Sequence, residues 1–388
     1  MDQPASITFS TSNAELIAEA CAQSGLDDFG DYSWREGYDR LLEELDRAGL
    51  SSDGALAARS FVIGNLIARL RAVAGFKANP EAMARPIVRP LIATGIVRSG
   101  TTALQKLLSM DKQFQGTEHW ICSAPQVRPP RTTWEGNGDY QAARAALAAM
   151  AGISPEVIDD HGMAVDDVEE SLMILAHGFH SNIYPSQFRI PAYDAWYKAT
   201  DDTHSYRYLA DVMRLIGTNE PDRTWLLKNP TDIFSLNEIL HVFPDAMIVQ
   251  THRDPLQAIP SIVNLISGAH RLFRGADAID YPTVFAREQE MWALAVERAE
   301  AVKQAKPGRV LEIEFGDFVK DQIGTIRSIY MHFGLEMTAE TEAAMRTWLD
   351  ANPRRSSSMQ RFTPEHFGGN TDALKERYSA YRQARGYA

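Results

Sequence analysis

The feature that most limits the fold is an apolar run, Pro90-Leu91-Ile92-Ala93, that passes straight into Thr94-Gly95-Ile96-Val97-Arg98-Ser99-Gly100-Thr101-Thr102. A short apolar run followed by a glycine-bounded polar loop reads as strand, loop, helix. Backbone N–H groups in such a loop wrap an anion, and a helix beginning near Ser99 aims its free N–H groups at it. A loop built for nucleoside triphosphates reads G-x-x-x-x-G-K-[ST], its lysine gripping the terminal phosphates. Here Thr101 stands at the lysine position and the cation, Arg98, lies inside the loop. The reading is a phosphorylated nucleotide other than ATP or GTP.

The chain has 388 residues, 45% of them hydrophobic, enough for one large core or two modest ones. Its formal net charge of -12 makes it a poor nonspecific binder of nucleic acid or anionic membrane. Any anion must therefore be held by locally clustered cations and backbone amides. The two cysteines, Cys21 and Cys122, are far apart in sequence, which argues against a disulfide scaffold or a cysteine-based zinc site. The N-terminus lacks a secretory pattern and no apolar run reaches the length of a membrane span. The expectation is a soluble, cytoplasmic protein with no metal.

Residues 13–74 carry helical apolar spacing in Leu41-Leu42-Leu45 and Phe61-Val62-Leu66-Leu70, with Asp53 and Ser60 as helix-start signals. This predicts an N-terminal helical region over 1–84 ahead of a nucleotide-binding domain over 85–388. In that domain 87–93 read as a strand interrupted by Pro90, and 99–109 as its helix. Residues 126–138 read as a loop, with helices over 140–150 and 168–181. Trp225-Leu226-Leu227, Ala246-Met247-Ile248-Val249 and Arg309-Val310-Leu311-Glu312-Ile313 read as buried strands. Helices follow over 233–242, 255–267, 318–333 and 339–349, with a last one over 372–385 beyond a polar link. Strands alternating with helices predict an α/β fold, a central parallel sheet flanked by helices.

Thr251-His252-Arg253-Asp254-Pro255 directly follows one of those strands, and ligands of open α/β sheets bind beyond the strands' carboxyl ends. Pro255 can open a helix, which places Ser261 a little over two turns into reach of the same loop. An arginine fork and a hydroxyl can then share one phosphate. Lys228, at the end of the strand 225–227, points toward the same region.

The Arg98-Ser99-Gly100-Thr101-Thr102 loop, Leu227-Lys228-Asn229-Pro230, and Arg253 with Ser261 together resemble the sulfotransferases that use 3′-phosphoadenosine 5′-phosphosulfate (PAPS), above all bacterial members with a G-x-P-R-[ST]-G-T-[TS] loop and a T-H-R-D-P motif. Glu314-Phe315-Gly316-Asp317-Phe318, and Arg361-Phe362 with Glu365-His366-Phe367-Gly368, are similar to the end of that family's core and to its nucleotide-side tail. The resemblance runs from about Pro86 to the C-terminus and implies a P-loop NTPase-like sulfotransferase fold. It implies that amides of Arg98 to Thr102 with the Thr101 and Thr102 hydroxyls hold the 5′-phosphosulfate. Arg253 and Ser261, with Arg361 in the tail, would hold the nucleotide and its 3′-phosphate. Val97 departs from the family's proline. Arg98 stands where cytosolic relatives carry lysine, and an arginine stabilises charge without donating its proton.

The implied reaction moves a sulfonate group from PAPS to a hydroxyl or amine of a small molecule, an alcohol or phenol first. Lys228 would bind the transferring sulfonate, and a base must reach the acceptor proton. Glu170 and His161 head the candidates, in a segment His161-Gly162-Met163…Glu169-Glu170 similar to one of the family; Glu169, Glu118 and His119 remain open. The alternatives are a phosphate-loop kinase or NTPase using ATP and magnesium, which Thr101 speaks against, and a noncatalytic nucleotide binder. Acceptor identity and oligomeric state stay open.

Overall fold

The computed structural model describes residues 7–31, 33–153, 164–352 and 362–387. The chain divides into two compact units: one gathers the stretch ending at Ile87 with Thr117–Asp222 and Ile266–Ile279, the other Val88–Gly116, Arg223–Leu265 and the stretch from Asp280 onward.

The second unit holds five parallel strands: β1 (Leu91–Gly95), β2 (Phe114–Gln115), β3 (Thr224–Lys228), β4 (Met247–His252) and β5 (Val310–Glu314), in the order β2-β3-β1-β4-β5. Every residue of β1 and β4 is buried, the pattern of central strands covered on both faces. Leu91, Ala93, Leu226, Met247 and Val249 pack with Leu104, Leu107 and Leu108 of the Thr101–Leu108 helix and with Ile326 and Ile329 of the Gln322–Phe333 helix. Burying such side chains contributes about 1.5–3 kcal/mol each. The expected α/β architecture, a central parallel sheet with flanking helices, is the observed one.

In the first unit, helix Asn13–Ser24 packs on Ser52–Ala78, and Arg35–Leu45 and Ser52–Ala78 pack with helices drawn from 119–216. Arg69 is fully buried there, its Nε donating to the Phe29 carbonyl at 2.8 Å and its guanidinium 5.0 Å from the Tyr208 ring centre. Phe179 sits at φ 53 in the left-handed region, and the Tyr193 hydroxyl donates to its carbonyl at 2.7 Å.

Several expected boundaries move. Ser60 lies inside the Ser52–Ala78 helix and donates to the Leu56 carbonyl; Ser51 is the cap, accepting from the Gly54 N–H at 3.0 Å. β1 starts after Pro90, which carries no N–H for a ladder, and runs on to Gly95. The helix expected over 168–181 shrinks to Leu172–Leu175, because Val168 pairs in a β-bridge with Glu118 and Phe179 turns left-handed. Helices Pro191–Ala199, Thr203–Ile216 and Tyr281–Ala305 went unread.

Gly95 shows why the first strand ends as it does. Its φ is +142, and a Cβ there would lie 2.2 Å from the Thr251 carbonyl oxygen on β4. Gly95→Ala is expected to destabilise the chain by roughly 2–4 kcal/mol, combining overpacking with an unfavourable positive φ. Denaturant unfolding checks this, and an unchanged midpoint would mean that the strands do not approach so closely.

Candidate functional site

Three adjacent strands deliver the sequence-selected residues to one end of the sheet. β3 ends at Lys228, β1 runs into the Ile96–Gly100 loop, and β4 leads to Arg253; β1 pairs in register with both neighbours. The carboxyl ends of the strands are where this sheet class binds ligands.

Arg98 has φ 60 and Gly100 φ 89, so the loop turns left-handed twice before the helix begins at Thr101. For a non-glycine residue that conformation costs of order 1–3 kcal/mol, which the surroundings must hold in place. Ser99 is fully buried; its hydroxyl donates to the Ile96 carbonyl and lies 2.5 Å from the Thr251 hydroxyl. Its side chain therefore locks the loop to β4. Gly100 leaves room for Phe315 and Phe318, whose rings would sit 3.1–3.3 Å from a Cβ.

On one side of the loop, Lys228 is 2% exposed and its Nζ donates to the Thr102 hydroxyl at 3.2 Å. Asn229 shapes the turn behind it, accepting from the Thr231 N–H and hydroxyl and donating to Asp232 at 2.8 Å. On the other side, Arg253 donates to the Arg98 carbonyl at 2.6 Å, and Arg98 Nε donates to the Ser261 hydroxyl at 3.0 Å. Ser261 follows Pro260 inside the Pro255–Arg274 helix. Arg98, Arg253 and Ser261 are thus one cluster.

Neither guanidinium has a carboxylate ion-pair partner among the described residues. Arg253 stacks over the Phe315 ring at 4.5 Å, and burial, then the neighbouring Arg98, push its pKa below the ordinary value. The neighbouring Asp254 is engaged by Arg382 at 3.0 Å, which removes the surface ion pair as an explanation of Arg253.

The sequence reading missed what holds this second anchor. The C-terminal Ser379–Arg385 helix supplies Tyr381, 2.8 Å from His252 Nδ1, Arg382 on Asp254, and Arg385 on Glu312 and Glu314. Glu312 collects His252, Lys303 and Arg385, which hold its carboxyl far below the usual range against its burial. No local pattern marks these pairings; the basic last turn was the only hint.

The base candidates fall in the first unit. Glu118 is tied to Arg128 at 3.1 Å, and burial nevertheless pushes its pKa up. His119 Nδ1 lies 3.3 Å from Glu169, and Glu169 also accepts from the Glu170 N–H at 2.8 Å. Glu170 precedes the Leu172–Leu175 helix instead of opening it. His161 and Arg361 lie outside the described residues.

Residues 90–339 match the model of the sulfotransferase family, and the chain belongs to that family. Over 264 residues it is 28% identical to the omega-hydroxy-beta-dihydromenaquinone-9 sulfotransferase Stf3 of Mycobacterium bovis, a match spanning 63% of this chain and 63% of that relative, less than two thirds of its length. The crystal structure of sulfotransferase STF1 from Mycobacterium tuberculosis superposes with a TM-score of 0.85 at 30% identity, covering 96% of this chain and 100% of that one. STF9 of Mycobacterium avium, 23% identical, shares the fold at a TM-score of 0.84 over 99% and 98% of the two chains. No helix among the described residues is long and apolar enough to cross a membrane.

The Glu312 cluster predicts a pH dependence. A carboxyl with a lowered folded pKa contributes stability above its unfolded pKa, near 4.3, and loses it as pH falls through and below that value. The melting-temperature gap between wild type and Glu312→Gln should be widest near neutrality and narrow below about pH 4.3. A gap independent of pH would show that Glu312 acts by packing alone.

Proposed function

We propose that this protein transfers a sulfonate group from PAPS to the hydroxyl of a small-molecule acceptor. The observation that carries the reading is the Arg98–Arg253–Ser261 cluster beside a glycine-bounded loop, two guanidiniums at the strand ends without carboxylate ion-pair partners among the described residues. Such a cluster suits a ligand with separated anionic groups.

The donor supplies an activated sulfonate whose leaving group is a phosphate oxygen. Amides from Arg98 to Thr102 and the Thr101 and Thr102 hydroxyls hold the 5′-phosphosulfate end. Gly95, where any Cβ would strike β4, and Gly100, whose φ of 89 a side chain rarely adopts, let the backbone turn tightly enough to present those amides. Arg253 and Ser261 hold the 3′-phosphate, with Arg361 assigned to the same end of the nucleotide. Lys228 and Arg98 stabilise charge as it grows on the leaving oxygen, which needs no reorganisation because both side chains are already anchored. Arg98 acts electrostatically and transfers no proton.

The acceptor proton goes to a carboxylate or imidazole. Glu170 is the first assignment and His161 the second; His119, oriented by Glu169, is a third that the geometry favours over Glu118, which Arg128 occupies. The acceptor class is an alcohol or phenol, in line with the hydroxylated substrate in the name of the Mycobacterium bovis relative. The donor and transfer site are assigned to the region 85–388, with 1–84 as an N-terminal helical region, and the location to the cytoplasm.

Arg253→Ala should weaken adenosine 3′,5′-bisphosphate binding by about 2 kcal/mol or more, roughly thirtyfold, and adenosine 5′-phosphosulfate far less. Calorimetry without magnesium checks this; equal weakening of both ligands would remove Arg253 from the 3′-phosphate. Lys228→Ala should lower kcat about 10²–10³-fold with little loss of bisphosphate affinity. If ATP with magnesium stabilises the chain and the bisphosphate does not, the kinase reading takes its place.

A further inference from the structure

In the first unit lies a polar cluster that the transfer reaction does not use. His180, Asp202 and His204 bring one ligand-type atom each to within 4.8 Å of one another. His180 is 1% exposed and Asp202 5%, inside a helical layer whose other buried members are chiefly apolar. Asp202 precedes the Thr203–Ile216 helix, so Asp202 and His204 flank its first residue. His180 comes directly after the left-handed Phe179, whose backbone Tyr193 fixes.

The hydrogen bonding of the two imidazoles is incomplete in the same way. His180 Nδ1 lies 2.7 Å from Asp202 Oδ1, and the His204 ring is bonded to the Asp201 backbone. Among the described residues, Nε2 of each ring is buried and finds no partner. The rings are 5.2 Å apart between centres, inclined at 64°. A buried polar atom without a partner costs roughly 1–3 kcal/mol, so the unpartnered Nε2 of His204 calls for an explanation. Histidines that bind metals characteristically donate their other N–H to a carboxylate or a backbone carbonyl, the pattern the His204 ring follows here, while His180 already turns Nδ1 toward Asp202. The Trp196 and Tyr197 rings, 4.8 and 5.0 Å from that of His180, wall the cluster.

We propose that His180, Asp202 and His204 form a binding site for one divalent transition-metal ion of the zinc class, which ties the turn at His180 to the start of the Thr203–Ile216 helix. Two imidazole nitrogens and one carboxylate oxygen suit zinc, whereas magnesium and calcium take oxygen ligands. Around a tetrahedral ion with bonds of about 2.0–2.1 Å, ligand atoms stand roughly 3.3 Å apart, so binding draws the most distant of the three inward. His204, the least buried, is the one free to move. A water completes the fourth position. The ion is structural, and the proposal does not depend on the transfer reaction; it departs from the expectation of a protein with no metal.

The test uses the full chain, freed of any affinity tag, stripped with a chelator, incubated with zinc sulfate and desalted. Elemental analysis should find about one zinc per chain, with a raised melting temperature as binding to the native state requires. His204→Ala should retain at least tenfold less zinc and lose the thermal shift, while His204→Cys, another zinc ligand, should restore both. His332→Ala, on an exposed helix face, serves as a control that leaves both unchanged. Zinc content near background in the wild type, or equal uptake and thermal shift in His204→Ala, would overturn the proposal and leave ordered water as the partner of the two nitrogens. Should His204→Ala fail to fold, cobalt(II) decides with the wild type alone: tetrahedral d–d absorption supports the site, and its absence rejects it.

Discussion

The candidate site depends on how closely β1 approaches β4. The two strands pair from Leu91 with Met247 to Gly95 with Thr251, and at the last pair Gly95 adds no side chain of its own. That contact puts the Thr251 hydroxyl against Ser99 and lets the loop leave one strand beside the residue that follows the other. Side chains alternate along a strand with a period of two, so a slip of one residue would send Arg253 to the opposite face. The register between two buried strands therefore sets the distance between Arg98 and Arg253. Ser99, fully buried, serves that register first, and only its backbone is left to face an anion.

An acidic chain must also keep its own carboxylates away from such a cluster. Asp254, next to Arg253, is held by Arg382; Glu312 and Glu314, at the end of β5, are held by Arg385, with Lys303 and Tyr387 helping. The C-terminal helix thus takes up the acidic groups that could neutralise Arg253. Among the described residues that guanidinium meets a carbonyl, an amide oxygen and an aromatic face. Partial burial of a cation without a counter-charge is unfavourable, and an anion relieves it.

This division also marks what a sequence can reveal. The loop at Gly95–Gly100, Lys228, Arg253 and Ser261 were legible because each lies within a few residues of a strand end, and buried strands announce themselves as short apolar runs. The clamp between Asp254 and Arg382 spans 128 positions and has no local signature. The segment after Val168 misled because its apolar residues, Leu172, Ile174 and Leu175, keep helical spacing for barely one turn before Phe179 reverses the backbone. The Tyr281–Ala305 helix could have been read. Its buried Val284, Phe285, Glu288, Met291, Trp292, Ala295 and Ala299 fall three and four apart, although Glu288 breaks the apolar stripe. That glutamate accepts from the Trp292 indole at 2.9 Å and pairs with Arg287, so its charge is accommodated within the helix.

The sequence suggests two separate anion cradles, one per strand end; the geometry joins them. Arg253 donates to the Arg98 carbonyl, and Arg98 donates to Ser261, so a ligand held at one end meets a network already set by the other. This gives a physical reason for arginine inside the loop. A lysine offers one compact ammonium, whereas the guanidinium can hold Ser261 through Nε and still present its terminal nitrogens along the fork. Ser261, in turn, accepts from Arg98 and keeps its own proton to donate. Under the proposed reading, the Arg98 backbone holds the phosphosulfate end, while its side chain, anchored on Ser261, presents its charge to the leaving oxygen. Residue 98 makes both contacts at a left-handed φ of 60, its carbonyl accepting from Arg253 and its side chain donating to Ser261.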